Sequence, residues 1–199
     1  MNNLLKEDQD RLKLLKKYGY DIPKIRNHII VKAGLALGGN ILEVGTGRGH
    51  MASALARKGF ELVSIDLDRK GQEVAKKHLK AIKDRKSVTF KIMNAEKLRY
   101  KGNSFDYVVS VDFIHHAKNP VKCLKEMIRV VRNTLIVSDI NKRGARIMEK
   151  VHRLHGHSHA SSKISLKEIE LLFKRAGMKV RVYRDVYHNV VIAKKGAVK

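Results

Sequence analysis

Cysteine and long apolar runs are the scarcest features of this 199-residue sequence. The single cysteine, Cys123, excludes an internal disulfide framework and is typical of a reducing compartment. No uncharged apolar run approaches the roughly 20 residues that span a bilayer. The first residues, Met1–Asp8, lack the basic-then-apolar pattern of a signal peptide. We therefore expect a cytoplasmic protein without a membrane span.

Acidic residues are also few, since 19 Asp and Glu face 43 Lys and Arg and leave a formal net charge of +24. A field of this sign attracts polyanions, so the charge makes nucleic acid a candidate partner. The basic residues are nevertheless spread along the whole chain, as in a solvated surface, and do not form one tail. Charge alone leaves both interpretations open.

The most informative segment is Ile41–His50, where four strand-like residues lead into glycines at alternate positions. Gly45, Gly47 and Gly49 allow a tight turn and leave no side chain between the backbone and a ligand. The helix that follows points its amide groups at the same place. This segment predicts a nucleotide cradle, and a tight turn without a ligand is the alternative.

Two acids indicate which nucleotide fits the cradle. Glu43 ends the first strand, where it would repel a pyrophosphate and can hold the ammonium of an amino-acid group. Asp66 closes the second predicted strand, where a carboxylate can accept both hydroxyls of a ribose. The G-x-G-x-G spacing also departs from the G-x-G-x-x-G of dinucleotide sites. An adenosine joined to an amino acid satisfies both acids, and Asp68 is predicted to cap the next helix.

From Asn40 to Ala193 the chain resembles the class I S-adenosyl-L-methionine-dependent methyltransferases. The resemblance adds three segments to the glycine turn: Asn94–Glu96, Asn103–Ser110 and Cys123–Val131. It implies an enzyme that uses S-adenosyl-L-methionine. The residues implied to hold this cofactor are Glu43, Gly45, Thr46, Gly47, Gly49, Asp66, Leu67, Asn94, Ala95, Glu96 and Val111.

Two positions depart from the family pattern. Asn94 replaces an aspartate in the turn that contacts the adenine, and this softens the expected contact with the adenine amino group. Asn133-Thr134 stands where a Pro-Gly-Gly turn commonly precedes the fifth strand, so we expect a shortened loop there.

The alternation of strands and helices predicts a doubly wound, Rossmann-like α/β fold. We expect a mostly parallel seven-stranded sheet with helices on both faces and the last strand antiparallel. Residues 1–39 are predicted to form a helical cap over the cofactor cleft, and residues 40–199 the methyltransferase domain. Ser165 and Glu168 form a capping box at the start of a late helix. The predicted strands are 40–44, 61–66, 88–92, 105–111, 134–139, 179–183 and 186–193.

Candidate catalytic residues follow the fourth strand. His115 and His116 are expected near the cleft, where a histidine can act as a general base at neutral pH. Asp112 can orient that histidine or the substrate. The alternative is that these histidines only close the pocket or cap the helix at Asn119-Pro120.

A histidine-rich stretch, 151–163, resembles the variable substrate lid of the family. Its histidines can contact substrate, and this is the favoured role. A solvated loop is one alternative. Metal binding is the other, because imidazole suits zinc, nickel or copper. However, the stretch offers no cysteine and no spacing for a pair on one helix face, so no metal site is predicted. The four histidines are His152, His155, His157 and His159.

The acceptor class is narrowed by motifs that are missing. The chain has Val111-Asp112-Phe113-Ile114 where amino-methyltransferases of nucleic-acid bases carry [Asp/Asn]-Pro-Pro-aromatic, and Cys123 lacks the Pro-Cys setting of pyrimidine C5 enzymes. The leading prediction is therefore methyl transfer to a small anionic molecule. Methylation of an RNA ribose or ring nitrogen is one alternative. A non-enzymatic cofactor- or metal-sensing protein is the other.

Overall fold

Strands and helices alternate along the chain in the computed structural model, which describes residues 2–82, 87–154 and 164–196. The strands are β1 (Ile41–Val44), β2 (Leu62–Asp66), β3 (Val88–Ile92), β4 (Phe105–Val111), β5 (Val131–Ile140), β6 (Lys179–Arg184) and β7 (His188–Lys194). The helices are α1 (Asn2–Lys17), α2 (Ile22–Ala33), α3 (His50–Arg57), α4 (Arg69–Lys80), α5 (Pro120–Val130), α6 (Lys142–Leu154) and α7 (Leu166–Arg175). A single 3₁₀ turn, Ile114–His116, follows β4.

The seven strands form one sheet in the order β3-β2-β1-β4-β5-β7-β6. Strands β1 to β5 pair in parallel, and β7 pairs antiparallel with both β5 and β6. The predicted doubly wound sheet with an antiparallel last strand is therefore confirmed. The strand order reverses between β1 and β4, and in such sheets ligands bind beyond the carboxyl ends at this point.

Burial on both faces explains why the central strands are apolar. All four residues of β1 are buried, and they alternate between the two faces because side chains repeat every second residue in a strand. Leu42 and Val44 pack with Leu124 of α5, whereas Ile41 packs with Leu55 of α3 on the opposite face. The helices thus cover the sheet on both sides.

The first two helices have their own packing against α6. Leu15 and Tyr20 are fully buried and pack in one cluster with Met148 and Val151. Asp21 caps α2 by accepting a hydrogen bond from the Lys24 amide. This packing holds α1 and α2 near the carboxyl ends of the strands. Within the described residues, no helix is long and apolar enough to cross a membrane.

The connection from α5 to β5 differs from the sequence prediction. A shortened loop was expected at Asn133-Thr134, but helix α5 ends at Val130 and β5 begins at the next residue. Thr134 lies within the ladder and pairs with Tyr107 of β4. The branched residues Val130 and Val131 favour this direct change from helix to strand. The predicted capping box is present, since Ser165 and Glu168 exchange hydrogen bonds at the start of α7.

Candidate active site

One cavity of about 990 Å³ opens where β1, β2 and β4 end. Helices α1 and α2 also contribute to its wall through Arg11, Ile22 and Arg26. Ligand pockets commonly measure about 300 to 1,000 Å³, so this cavity has room for a cofactor and a small acceptor together. The predicted site residues on its wall are Glu43, Gly45, Thr46, Gly47, Asp66, Leu67, Asn94, Ala95, Glu96, Val111, His115 and His116.

The predicted cofactor residue Gly49 lies elsewhere. It is the N-cap of α3, and a Cβ placed on it would lie 2.5 Å from the Cβ of Ala75, so this glycine permits the close approach of α3 to α4. Gly47 differs, because nothing lies within 4 Å of where its Cβ would be. Gly47 therefore leaves open space at the cavity, whereas Gly49 serves helix packing.

Glu43 is a buried carboxylate with one unused oxygen. Its Oε2 accepts a hydrogen bond from the Ser64 hydroxyl, and Oε1 has no hydrogen-bond partner among the described residues. Burial raises the pKa of Glu43 to about 8, against the opposing effects of the Ser64 hydroxyl and the Ala52 amide. A buried carboxyl that lines a cavity and has one oxygen without a hydrogen-bond partner is suited to pair with a cationic ligand group.

Asp66 is held in place by two backbone amides. Its Oδ2 accepts from the Gly47 amide at 2.7 Å, and its Oδ1 accepts from the Asp68 amide at 3.0 Å. A carboxylate offers about four lone-pair sites, so capacity for two hydroxyl donors remains. Asp68 caps α4 as predicted, and its carboxylate accepts from the Lys70 amide.

The turn after β3 places Asn94 on the same cavity. The Asn94 side chain accepts a hydrogen bond from the Glu96 amide at 2.8 Å. This local bond orders the turn, which is typical of asparagine and aspartate in this setting. Asparagine therefore preserves the turn, and its amide remains beside the cavity that Ala95 and Glu96 also line.

His115 is buried in the cavity wall and paired with Asp139. The Nδ1 atom of His115 lies 2.5 Å from Oδ1 of Asp139, near the end of the neighbouring strand β5. Burial opposes protonation of the ring, but the hydrogen bond and charge of Asp139 and the charge of Asp112 outweigh it and raise the pKa of His115. His116 is exposed, and the two rings lie 3.9 Å apart between centroids.

Asp112, which was expected to orient a histidine or the substrate, lies beside Arg26 in the cavity wall. Its Oδ2 accepts from Nη2 of Arg26 at 2.6 Å. Asp112 also adopts a left-handed backbone conformation with φ of 55°, which is uncommon for residues other than glycine and is often found at functional sites. Burial raises the pKa of Asp112, but the His188 ring in its protonated form and the Arg26 guanidinium lower this pKa to about 2. Burial lowers the pKa of His188 itself, so Arg26 is the permanent positive charge beside Asp112.

Arg26 is a functional candidate that sequence reasoning missed. Its side chain is only 6% exposed, and Nη1 is buried without a hydrogen-bond partner in the described part of the chain. Arg26 is one of several polar residues in α2, so no sequence pattern indicates that it is the one that faces a cavity. Asp139 was also missed, although it lies near the end of β5 as Asp66 does on β2.

A second polar layer supports Arg26 and Asp112. The Tyr20 hydroxyl lies 2.6 Å from Nε2 of His188, and Ser138 Oγ lies 3.0 Å from Nδ1 of the same ring. Nδ1 of His188 is also 3.5 Å from Asp112. These groups are buried, so the network holds the Asp112 carboxylate in one orientation.

The described residues do not include the side chains of the four histidines of the predicted lid. His152 lies in α6, and the structure does not describe its side chain. His155, His157 and His159 lie outside the described residues. The lid therefore stays a prediction.

Comparisons with known proteins agree with this geometry. Residues 42–136 match a family model described as a methyltransferase domain. The mitochondrial ubiquinone biosynthesis O-methyltransferase of Arabidopsis thaliana is 24% identical over 160 residues, which are 75% of this chain and 50% of that protein. An SAM-dependent methyltransferase of Methanosarcina mazei superposes with a TM-score of 0.66 at 20% identity, covering 83% of this chain and 96% of that one.

A further solved structure is similar over most of the chain. Magnesium protoporphyrin IX methyltransferase of Synechocystis PCC 6803, with bound SAH, has a TM-score of 0.68 at 16% identity and covers 94% of this chain and 87% of that one. At these low sequence identities, the two superpositions establish a shared fold and no more. The chain spans only about half the length of the Arabidopsis relative. Arg26 and Asp139 lie outside the segment that matches the family model.

Proposed function

Since its domain and its fold are those of the class I S-adenosyl-L-methionine-dependent methyltransferases, we propose that this chain methylates a hydroxyl of a small anionic acceptor. One observation carries the proposal: a paired imidazole, His115, and a buried guanidinium with a spare nitrogen, Arg26, line one cavity with the cofactor residues. The first can remove a proton and the second can bind a negative charge. The relatives named as O-methyltransferases support an oxygen acceptor.

The residues on the β1 and β2 side of the cavity fit S-adenosyl-L-methionine. The unused oxygen of Glu43 suits its ammonium, Asp66 suits the ribose hydroxyls, and Asn94 and Ala95 suit the adenine. When bound, the cofactor would supply a methyl group on a sulfonium sulfur, from which a neutral thioether leaves readily. The protein therefore needs mainly to position the acceptor and to manage one proton.

His115 is the proposed general base. Asp139 accepts a hydrogen bond from Nδ1, which assigns the lone pair of the neutral ring to Nε2 and holds the ring orientation. A hydroxyl acceptor that reaches His115 would lose its proton to this ring as the methyl group arrives. Positioned acid or base groups of this kind contribute about 10²- to 10⁴-fold to rates.

Arg26 is the proposed anchor for the acceptor charge. Asp112 neutralises one side of the guanidinium through Nη2 and leaves Nη1 for a carboxylate or similar anion. Burial strengthens such a bond because water does not compete for it. Ile22 and Met148 supply apolar wall nearby, which suits the body of a small acceptor.

The test is methyl transfer from tritiated S-adenosyl-L-methionine into a fractionated extract, with acid-soluble, nuclease-sensitive and protease-sensitive label counted separately. Acid-soluble label that disappears in His115→Ala supports the proposal. Nuclease-sensitive label would instead assign the +24 charge to RNA binding. Cofactor binding by calorimetry without label in any fraction would favour a non-enzymatic sensor.

A further inference from the structure

A second group of ligating side chains lies where α1 meets α3 and α4, and one of them, His50, also lines the cofactor cavity. Asp8 comes from α1, His50 is the first residue of α3, and His78 lies in α4. One ligand atom from each residue falls within 4.8 Å of the others. Asp8 is completely buried. Three helices therefore converge on one buried carboxylate and two imidazoles.

The distances in this group match those of a metal site. Oδ2 of Asp8 lies 3.0 Å from Nε2 of His78 and 3.3 Å from Nε2 of His50. Zinc binds nitrogen and oxygen at about 2.0 to 2.2 Å in tetrahedral geometry, which separates neighbouring ligand atoms by about 3.3 Å. The carboxylate oxygen is thus at ligand spacing from each imidazole nitrogen, and the ligand atoms of the two histidines lie within 4.8 Å of each other.

His50 supplies an independent observation. Its Nε2 is near Asp8 but is not aligned as a hydrogen bond, and it is buried without a hydrogen-bond partner among the described residues. A buried polar atom without a partner is costly. Coordination of a cation by this nitrogen would remove that cost.

Two arginines occupy the other oxygen of Asp8. Nη1 of Arg48 lies 3.1 Å from Oδ1 and Nη2 of Arg11 lies 3.5 Å from it. These bonds orient the carboxylate with Oδ2 toward the histidines, as outer partners of metal ligands commonly do. Their positive charges also repel a cation, so we expect weaker binding than at a site of thiolates.

A small cavity provides access to the histidines. It measures about 280 Å³ and is lined by His50 and His78, together with Asn27 and Ser53. A metal site needs such an entry path and room for solvent in the remaining coordination positions. The small cavity thus gives solvent and ions access to the two histidines of the proposed site.

We propose that Asp8, His50 and His78 bind one divalent transition metal ion of the zinc class and thereby fasten α1 to α3 and α4. Two imidazoles and a carboxylate suit zinc, cobalt or nickel, whereas magnesium and calcium prefer oxygen ligands. His50 also lines the cofactor cavity. The proposed role is structural, because none of the three ligands is among the groups proposed to hold the cofactor or to act on the acceptor. This inference does not depend on the proposed methyl transfer.

The test is a zinc titration by calorimetry on a background variant in which His152, His155, His157 and His159 are serine. This background removes the other histidine-rich metal ligands of the chain. We expect one zinc ion per chain, and a rise in melting temperature on addition of zinc. Cobalt should give the visible absorption of a tetrahedral site.

His78→Ala on this background should lose the zinc site, the zinc-dependent rise in melting temperature and the cobalt spectrum. His28→Ala is the matched control, since His28 is a partly exposed histidine that pairs with Asp185 away from the cluster. His78→Gln serves if the alanine variant does not fold, which circular dichroism without metal reports. The proposal is overturned if the background variant takes up no zinc or if uptake is unchanged without His78.

Discussion

His115 lies in the 3₁₀ turn after β4, and Asp139 lies near the end of the adjacent parallel strand β5. Nδ1 of His115 and Oδ1 of Asp139 are 2.5 Å apart. The carboxylate raises the pKa of the imidazole although burial alone would lower it. The pair stands in the same cavity wall as Arg26, which is held by Asp112. The proposed base and the proposed anion anchor thus line one cavity beyond the carboxyl end of β4.

Asp139→Asn should change the pH dependence of methyl transfer. A base must be neutral to act, so the rate falls as pH drops through the raised pKa of His115. Without the carboxylate this pKa falls, and the acidic limb of the kcat profile should move to lower pH. Asp10→Asn, at an exposed aspartate of α1, is the control and should leave the profile unchanged. An acidic limb that stays in place would rule out this role for Asp139.

His115→Ala should lower kcat by about 10²- to 10⁴-fold, the range for loss of a general base. Calorimetric affinity for S-adenosyl-L-methionine should be unchanged, because other residues are proposed to hold the cofactor. His116→Ala is the matched comparison and should lower kcat much less, since His116 is exposed whereas His115 is buried in the cavity wall. Equal losses in both variants, or a loss of cofactor affinity with His115→Ala, would make the histidines structural.

Arg26→Lys should raise KM for an anionic acceptor by about 10- to 150-fold, the equivalent of about 1.5 to 3 kcal/mol for a bond to a charged group. Lysine keeps the charge beside Asp112 but cannot offer two nitrogens in a fixed fork. The measurement is KM against kcat, with Lys24→Met as a control on the same helix. An unchanged KM would mean that Arg26 only neutralises Asp112.

Asp66→Ala should weaken binding of S-adenosyl-L-methionine by about 1.5 to 3 kcal/mol, as expected for bonds to a charged acceptor. The same change also removes the acceptor of the Gly47 amide and so loosens the glycine turn. Asp106→Ala is the control, because Asp106 likewise accepts a backbone amide, from Asn40, before β1 begins. That variant should lose stability and keep its cofactor affinity by calorimetry, whereas equal affinity in both variants would contradict the proposed site.

Glu43 should couple cofactor binding to pH. With a pKa of about 8, Glu43 is mostly protonated in the free protein at pH 6 to 7.5, and it must ionise to pair with the ammonium. Affinity for S-adenosyl-L-methionine should therefore rise with pH across this window, by up to about tenfold per pH unit. Glu43→Gln should flatten the dependence. Calorimetry in buffers of different ionisation enthalpy would detect the proton that Glu43 releases. Cofactor binding without proton release would contradict the pairing of Glu43 with the ammonium.

The fold was largely predictable from local sequence, and so were the glycines and acids that line the cavity beside β1 and β2. The strands follow apolar runs of the length that a buried parallel sheet requires, and Asp66 ends one of them. Two details differ from the sequence predictions. Strand β5 begins at Val131, earlier than expected, and Gly49 packs against Ala75 instead of lining the cavity. Helix packing between α3 and α4 cannot be inferred from the glycine spacing alone.

By itself the sequence determined the order of strands and helices, the glycine turn and the acids at the strand ends, because hydrophobic periodicity and turn chemistry act over neighbouring residues. Only the tertiary structure decided which charged side chains pair with each other. Arg26 meets Asp112 across 86 positions, and Asp8 meets His78 across 70. Such pairs form only when the sheet and its covering helices bring distant segments together. Burial then strengthens the interaction between the paired charges, because the dielectric constant is lower than in water.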